Sequence, residues 1–298
     1  MLSYNKRKTA LSMSLIHLFF IAVSLAFIIP LWAVISISIS SEVDITKYGF
    51  RLIPKVLDFS SYKYIFESPA TILNAYKVTI IVSVVALVLY LLISSMTAYA
   101  LSRSSFKYRK GITFYLFFTM LFSGGLVPYY ILMNQYLHLR NTYWALILPL
   151  LGNVWYIFIM RTNFSQIPDA IVESAKMDGA GEFKIFYQII LPLSKPVLAT
   201  VGLLQLLANW NAWYQAMLFV DNSELYPLQY LLQTILRNAQ ELSRGFENSM
   251  ITFTASQPLP TESMRMAMAV IATGPMLLVF PFFQKFFVKG LTVGAIKG

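Results

Sequence analysis

The chain has no cysteine and is poor in charge, with 12% Asp, Glu, Lys and Arg where soluble domains carry about 25%. The absence of cysteine excludes a small disulfide-stabilised scaffold. The scarcity of charge, combined with 57% apolar residues, excludes intrinsic disorder and is atypical of a soluble domain. These features indicate that the 298 residues form an integral membrane protein.

Motifs for nucleotide and hydrolytic chemistry are also lacking. The sequence contains no G-x-x-x-x-G-K-[ST], no H-E-x-x-H and no G-x-S-x-G. We therefore expect that the chain is not an enzyme and that it binds no metal or cofactor itself. If it transports a solute with energy from ATP, another polypeptide must hydrolyse the ATP.

Six apolar runs are each long enough, at about 20 residues, to cross a bilayer as a helix. None of the six contains Asp, Glu, Lys or Arg. The sequence therefore predicts an all-α integral membrane protein with six transmembrane helices. The predicted spans are Leu15–Ile39, Val78–Leu101, Ile112–Met133, Tyr143–Met160, Val197–Val220 and Met266–Phe283.

The distribution of Lys and Arg predicts the orientation of these spans. Alternate segments, 1–14, 102–111, 161–196 and 284–298, hold 14 of the 23 Lys and Arg but 4 of the 13 Asp and Glu. Cytoplasmic loops carry such an excess, so we expect both termini inside and the chain in the cell membrane. The net charge of +10 is then explained by topology, and no nucleic-acid partner is expected.

The segment between the fourth and fifth runs predicts two short cytoplasmic helices joined by a turn. Pro168 suits a first helical position, Asp169 suits the positive end of a helix, and Gly179 suits a C-terminal turn with positive φ. A second helix, Glu182–Ile190, follows. A ridge for docking a partner is predicted from the apolar residues of both helices, which are Ile171, Val172, Ala175, Phe183, Phe186 and Tyr187.

This loop resembles the E-A-A-x-x-x-G-x(9)-I-x-L-P loop of ABC-importer permeases. The matching residues are Glu173, Ser174, Ala175, Gly179, Ile189, Leu191 and Pro192, with Ser174 in place of the second Ala, and Asp178 and Ala180 extend the likeness. The resemblance implies a type I ABC-importer permease fold, in which loop 165–192 inserts into a groove of a separate ATPase. The alternative is an amphipathic hairpin lying on the membrane.

The C-terminal run Gly274–Gly298 resembles the ending of sugar-importer permeases of the maltose-transporter type. That resemblance implies a tail, 291–298, which continues from the last span toward the ATPase. The domains expected are then 1–70, a first helix and outer segment, and 71–290, the importer transmembrane domain. The tail residues involved would be Lys289, Gly290, Gly294 and Lys297; the alternative is a basic end held near anionic lipid.

Three local motifs, Phe122–Tyr130, Asn141–Pro149 and Tyr226–Tyr230, resemble oligosaccharide and polysaccharide permeases of Gram-positive bacteria. The resemblance implies uptake of carbohydrate, with this chain forming half of the pore. A second six-span permease, an ATPase dimer that holds ATP and Mg²⁺, and an extracytoplasmic solute-binding protein would complete the importer. The binding protein would contact outer segment 221–265, for which an ordinary solvated loop is the alternative.

Polar and aromatic side chains in the fifth run predict a substrate path. Gln205, Asn209 and Trp213 are spaced i, i+4, i+8 and would share one helix face, with Trp210 and Tyr214 beside them. Amides bind hydroxyls and aromatic rings stack on sugar rings, so these residues suit a neutral carbohydrate. The alternative is that the amides join helices and the aromatic residues form an interface belt.

Two other classes of function compete with the importer. A carrier driven by an ion gradient would be expected to carry an ionisable residue within a span, or an inverted repeat. A membrane-embedded enzyme would need an acid–base or metal constellation. The six runs offer neither ionisable groups nor such a constellation, which favours the importer.

Overall fold

The computed structural model describes residues 2–248 and 261–295, and their side chains within 13–241 and 261–283. In these ranges the chain is helical and forms no β-strand, which confirms the predicted all-α class. An isolated bridge pairs Ser40 with Leu57. The α-helices are α1 Leu2–Ser38, α2 Glu42–Tyr48, α3 Ser60–Ile65, α4 Pro69–Ser102, α5 Arg109–Leu121, α6 Leu126–Ile131, α7 Tyr143–Ile147, α8 Val154–Phe164, α9 Asp169–Met177, α10 Glu182–Ile185, α11 Leu191–Leu193, α12 Lys195–Trp210, α13 Tyr214–Phe219, α14 Leu228–Asn248 and α15 Thr261–Ala295.

Shorter helical turns adjoin several of these helices. Leu132–Tyr136 extends α6 and Phe186–Ile190 joins α10 to α11, both as π-helix. Leu148–Leu151 follows α7, and Ser223–Leu225 precedes α14, both as 3₁₀-helix.

Three helical segments are long and apolar enough to cross a bilayer on their own. They are Met13–Ser38 of α1, the whole of α4, and Thr261–Phe283 of α15. Three bent pairs meet the same test when each is counted as one span: α5 with Leu126–Tyr136, Tyr143–Leu151 with α8, and Glu182–Leu193 with α12. The described residues therefore contain three to six candidate spans, each overlapping a predicted apolar run.

The third predicted span, Ile112–Met133, is not one continuous helix. Helix α5 ends at Leu121, and the next helical segment departs at 111°. At the break, Gly125 has a φ of +84°, which glycine adopts without steric cost, and its N–H donates to Ser123 Oγ at 3.3 Å. The high mean hydropathy of the run hides this break, because it averages over the short polar stretch.

The fifth predicted span, Val197–Val220, is also divided, since α12 ends at Trp210 and α13 begins at Tyr214. Asn211 lies at the turn, and its Nδ2 donates to the Leu207 carbonyl at 2.8 Å. This bond satisfies one of the carbonyls that a helix end leaves without a backbone partner. At the other end of α12 the chain bends by 80°, so residues 182–193 do not prolong that helix.

The described residues group into two compact units, 2–69 with 232–248 and 261–274, and 70–231 with 275–295. In the first unit, the buried carboxylate of Glu42 caps the N-terminus of α15. Its two carboxylate oxygens accept from the backbone N–H groups of Glu262 and Ser263 at 3.0 Å, and from the hydroxyls of Thr261 and Ser263. A carboxylate at a helix N-terminus is stabilised by the free N–H groups and the helix dipole.

The second unit is built on a buried apolar cluster that several helices share. Tyr90 of α4, Phe164 of α8, Ile185 of α10, Ile190 of the following turn and Val201 of α12 are all fully buried in it. Burial of side chains this large excludes much apolar surface from solvent and supplies the main packing energy. The segment between α8 and α12 is therefore packed onto the helices.

Candidate functional site

The predicted turn between the two short helices is present, and Gly179 forms it. Helix α9 ends at Met177, Asp178 is its C-cap residue, and Gly179 follows with a φ of +77°. The Ala180 N–H then bonds to the Ala175 carbonyl and the Gly179 N–H to the Lys176 carbonyl, each at 2.9 Å. These two bonds make a Schellman motif, which a residue in the left-handed conformation closes. The predicted positive φ at Gly179 is confirmed.

The residues that match the E-A-A-x-x-x-G part of the loop motif lie on both faces of the loop. Glu173, Ser174 and Asp178 are exposed, whereas Ala175 and Ala180 are half-buried against the apolar cluster. Ser174 Oγ donates to the Ile171 carbonyl at 3.0 Å, so its hydroxyl is bonded within α9. Replacement of the motif's alanine by serine therefore adds no unbonded donor to the exposed face.

The predicted docking ridge is wrong in two of its residues. Val172 and Phe186 are buried in the cluster, and they cannot contact a partner. Ile171, Phe183 and Tyr187 are exposed as expected.

Met177, which the sequence reasoning overlooked, is 89% exposed at the end of α9. It lies four residues after Glu173, so the two share the outer helix face, and this i, i+4 spacing was the available signal.

Arg103, just after α4, binds the segment that leads into the loop. It is 8% exposed, and its Nη2 donates to the Phe164 carbonyl at 2.8 Å. Its Nη1 pairs with Asp169 Oδ1 at 3.2 Å, and its guanidinium lies 5.3 Å from the Tyr99 ring centroid. A buried guanidinium needs this number of partners, because an unpaired buried charge is costly.

A second contact joins the end of α4 to α10. The Tyr99 hydroxyl donates to Glu182 Oε2 at 2.6 Å, and Lys176 Nζ pairs with Glu182 Oε1 at 2.7 Å. Together with the Arg103 contacts, these bonds hold both helices of the loop against α4, and we call them the α4 clamp. The signal in the sequence was Arg103, the first charge after the 25 uncharged residues 78–102, which the sequence analysis explains by topology alone.

A cavity of about 380 Å³ lies beside the α4 clamp. Tyr99, Arg103, Ser105 and Glu182 are its polar lining residues, and Phe106 and Phe183 are among the apolar ones. Phe183 is exposed at its edge. The arrangement leaves an apolar recess next to the exposed face of the loop.

Of the predicted path residues, Gln205 and Asn209 are buried in contacts between helices. Gln205 Nε2 donates to the Leu150 carbonyl at 2.8 Å and to Asn209 Oδ1 at 2.9 Å. Asn209 Nδ2 donates to the Ser83 carbonyl of α4 at 3.2 Å. The amides thus join α12 to α4 and to the turn after α7, as the alternative proposes. Their role in substrate binding stays a prediction.

The expectation that Trp213 shares a helix face with Gln205 and Asn209 is wrong. Helix α12 ends at Trp210, so Trp213 lies in the turn before α13 and outside that helix. Trp213 and Tyr214 meet edge to face with ring centroids 5.9 Å apart, and Trp210 lies 6.5 Å from the Tyr76 ring. The spacing argument fails because it assumed one unbroken helix over the whole apolar run.

The remaining predictions concern the C-terminal tail, the outer segment, and metal binding, for which the sequence predicts no site. Lys289, Gly290 and Gly294 are within α15, but their surroundings, like the whole of Lys297, fall outside the described part of the structure. Part of outer segment 221–265 also falls outside it, at residues 249–260. Within the described residues, no group of three or more His, Cys, Asp and Glu side chains is placed to hold a metal ion.

The family described as "Binding-protein-dependent transport system inner membrane component" matches residues 81–293, which is more than half of the chain. The chain belongs to this family. The match includes α9, Gly179, α10 and the α4 clamp, so the loop and its contacts lie within the family's own region. The resemblance inferred from the loop motif is confirmed.

Individual relatives of this permease family agree. The chain is 36% identical to the "Polygalacturonan/rhamnogalacturonan transport system permease protein YtcP" of Bacillus subtilis (strain 168), covering 95% of this chain and 97% of that one. It is 29% identical to the "Arabinooligosaccharides transport system permease protein AraQ" of the same strain, covering 94% of each.

A solved structure is similar as well. It is described as a bacterial ABC transporter "involved in the import of the acidic polysaccharide alginate". The TM-score is 0.74 at 28% identity, covering 92% of this chain and 96% of that one. The chain is therefore a multi-pass membrane permease of an ABC importer, and the ion-gradient-driven carrier is not supported.

Proposed function

We propose that this permease is one half of the translocation pore of an ATP-driven carbohydrate importer, and that its substrates are oligosaccharides. Two relatives carry the names of plant-polysaccharide and arabinooligosaccharide transport systems, and the similar structure comes from an alginate importer. A distinct six-span permease completes the pore. An extracytoplasmic solute-binding protein delivers the sugar, and a separate ATPase dimer binds ATP and Mg²⁺.

The observation that carries the proposal is the two-faced loop α9–Gly179–α10. Its inner face is packed on the apolar cluster and bonded through the α4 clamp. Its outer face presents Glu173, Met177 and Asp178 to a partner. A short helix exposed in this way fits a groove on the ATPase, so that closure of the ATPase dimer displaces the loop.

The α4 clamp then gives the displacement a route into the membrane. Because Arg103 and Tyr99 attach the loop to the end of a 34-residue helix, a shift of the loop moves α4 with it. Rigid elements that rock about an interface are a common device for alternating access. In this proposal α4 is the lever, and Gln205 and Asn209 keep α12 attached to it.

The proposal includes six spans with both termini in the cytoplasm. Spans three and four are the bent pairs α5 with Leu126–Tyr136 and Tyr143–Leu151 with α8, and span five is α12 with α13. The Lys and Arg excess on alternate segments supports the orientation. The loop and the C-terminal tail then lie on the ATPase side. The sugar passes Trp213 and Tyr214, whose rings stack on its apolar faces, beside the buried residues Trp210, Gln205 and Asn209.

The test is purification of the complete chain from its native membrane in mild detergent, with identification of its partners. We expect a phosphate-loop ATPase, a second six-span permease and a solute-binding protein, whose ligand is then found by screening acidic and neutral oligosaccharides. Recovery of the chain alone, together with uptake that survives ATP depletion, would overturn the proposal.

A further inference from the structure

The segment between α2 and α3, residues 49–59, bends along the membrane-spanning helix α1, and we call this segment the dip. After α2 the backbone passes beside Ser36, whose Oγ donates to the Arg51 carbonyl at 2.9 Å. It then reaches Trp32, whose Nε1 donates to the Leu52 carbonyl at 2.8 Å. The chain afterwards returns to the end of the helix, where the Asp58 N–H bonds to the Ile39 carbonyl at 2.9 Å.

The two bonded carbonyls place the dip at the depth of the lipid headgroups. Met13–Ser38 contains 26 residues, which at about 1.5 Å each span about 39 Å, whereas the hydrocarbon core is about 30 Å thick. Trp32 precedes Ser38 by six residues, or about 9 Å. The tip of the dip therefore reaches the boundary between headgroups and acyl chains, where backbone carbonyls need protein donors in place of water.

The side chains of the dip match this depth. Ile53 is 78% exposed and Phe50 is 62% exposed, and Leu52 and Val56 are exposed beside them. None of the apolar window of α1 is buried within the structure, so this helix also presents its surface to lipid. Exposed aliphatic and aromatic residues at the end of a span are typical of a segment inserted into the interface.

Three cations gather immediately beside the apolar tip. The Lys47 and Lys55 ammonium groups lie 5.3 and 3.9 Å from the Tyr48 ring centroid, and the Arg51 guanidinium lies 4.9 Å from it. The ring face attracts each cation but cannot neutralise three of them. Convergence of three like charges on one exposed ring favours an anion as their common partner.

Two of the three carboxylates of the same segment are bonded to other groups. Glu42 is occupied by the start of α15, and Asp58 Oδ1 accepts from the Ser60 N–H at 2.8 Å. Asp44 lines a small cavity together with Tyr48, Arg51 and Lys55, and one of its carboxylate oxygens is buried there. Among the ion pairs of the described residues, none joins a carboxylate to Lys47, Arg51 or Lys55. Within the described residues, the three bases therefore have no carboxylate at ion-pair distance, although the segment also carries three acids.

We propose that Lys47, Arg51 and Lys55, arranged around Tyr48, bind the phosphate of an anionic phospholipid in the leaflet where α1 ends, while Phe50 and Ile53 insert among its acyl chains. The site anchors that end of α1 to the lipid surface. It rests on α1 as a span and not on the transported substrate, so its failure would leave the importer proposal untouched.

The first experiment measures the depth of the dip in lipid. Because the chain lacks cysteine, Ile53→Cys provides a unique position for a fluorophore in the full-length protein, and Met177→Cys provides the exposed reference. Both are reconstituted in vesicles of phosphatidylcholine with phosphatidylglycerol that carry a quencher near the glycerol end of the acyl chains. We expect strong quenching at 53 and little at 177. Equal quenching at both positions would overturn the insertion.

The second experiment measures lipid selectivity by native mass spectrometry of the full-length protein with added phosphatidylglycerol. We expect the double variant R51Q/K55Q to lower its retention relative to phosphatidylcholine by about thirtyfold, the scale expected for two cations near the surface. The control K63Q/K77Q removes the same charge from two exposed lysines elsewhere, and its retention should be unchanged. Equal retention in both variants would overturn the phosphate site. If R51Q/K55Q instead retained phosphatidylglycerol normally but lost stimulation of its ATPase activity by the solute-binding protein, the three cations would form a protein-docking surface. That result would also overturn the phosphate site.

Discussion

At the scale of single residues, backbone conformation rather than space requires glycine at position 179. A Cβ placed there would meet nothing within 4 Å, yet the φ of +77° is one that side-chain-bearing residues rarely adopt. The Schellman bonds that set the angle between α9 and α10 depend on this φ. The geometry of the loop therefore rests on one dihedral angle.

Gly179→Val should uncouple ATP hydrolysis from transport, because a β-branched residue in the left-handed region costs about 1–3 kcal/mol and would shift the turn. Gly179→Asn is the matched control, since asparagine tolerates this region. The measurement is substrate-stimulated ATPase activity of the reconstituted complex. The role of the turn would be contradicted if Val and Asn behaved alike.

Two of the bonds that Arg103 makes differ in their contribution to stability. The Phe164 carbonyl is buried with it, whereas the Asp169 side chain is largely exposed to solvent. Exposed ion pairs contribute little, because water screens them, while a buried acceptor that loses its donor is costly.

Arg103→Lys should lower the free energy of unfolding by about 1–3 kcal/mol, since one ammonium cannot serve the Phe164 carbonyl and Asp169 in the same geometry. Asp169→Asn should cost less than about 1 kcal/mol. Thermal unfolding of the purified chain in detergent compares them. A loss of the same size in both variants would show that the exposed pair carries the clamp.

At the scale of secondary-structure elements, α9 is a helix with one face for folding and one for a partner. Val172 and Ala175 pack on the apolar cluster, and Glu173 and Met177 face away from it. The helix has nine residues, which is too short for stability in isolation. Its order comes from its packed face and from the α4 clamp.

Substitutions on the two faces of α9 should therefore have different effects. Val172→Asp should lower stability by at least about 3 kcal/mol, because it buries an unpaired carboxylate. Met177→Asp should leave the melting temperature unchanged and reduce the amount of ATPase that co-purifies. The stability of each variant is measured from its thermal melting curve, and the amount of bound ATPase from the stoichiometry of the purified complex. If the amount of co-purified ATPase were undiminished in both variants, the outer face of α9 would be excluded as the ATPase contact.

At the scale of the whole molecule, the proposed topology places the loop on one side of the bilayer and the segment after α13 on the other. Helix α12, preceded by an 80° bend and followed by a break, separates them. In the proposed topology Met177 is cytoplasmic and Glu224 is extracytoplasmic. The complete absence of cysteine makes this testable with single labels.

Met177→Cys should react with a membrane-impermeant maleimide in inverted vesicles, and Glu224→Cys in right-side-out vesicles. Val201→Cys, at a fully buried position, should react in neither until the protein is denatured. Labelling of 177 and 224 from the same side would mean that α12 does not span, and the six-span topology would be wrong.

Much of the fold was predictable because hydropathy reports burial in lipid directly. The apolar runs located every candidate span, and the spacing from Glu173 to Pro192 identified the loop and its family before any coordinates. The positive φ of Gly179 was predictable too, since glycine after a helix is a local signal.

Other features depended on contacts between residues far apart in the chain. The break at Gly125 and the end of α12 at Trp210 lie within runs that remain apolar on average. The burial of Val172 and Phe186 depends on which helices surround the loop. The bond from Tyr99 to Glu182 joins residues 83 positions apart, so no local pattern could reveal it.

The sequence by itself determined that the protein is helical and membrane-embedded, which family it joins and where its loop turns, because composition, run length and local dihedral preference act over a few residues. The tertiary structure alone decided which face of α9 is free, how the α4 clamp holds the loop and that the dip after α2 lies against α1. Those outcomes depend on packing and hydrogen bonds between distant segments, which form once the chain has folded.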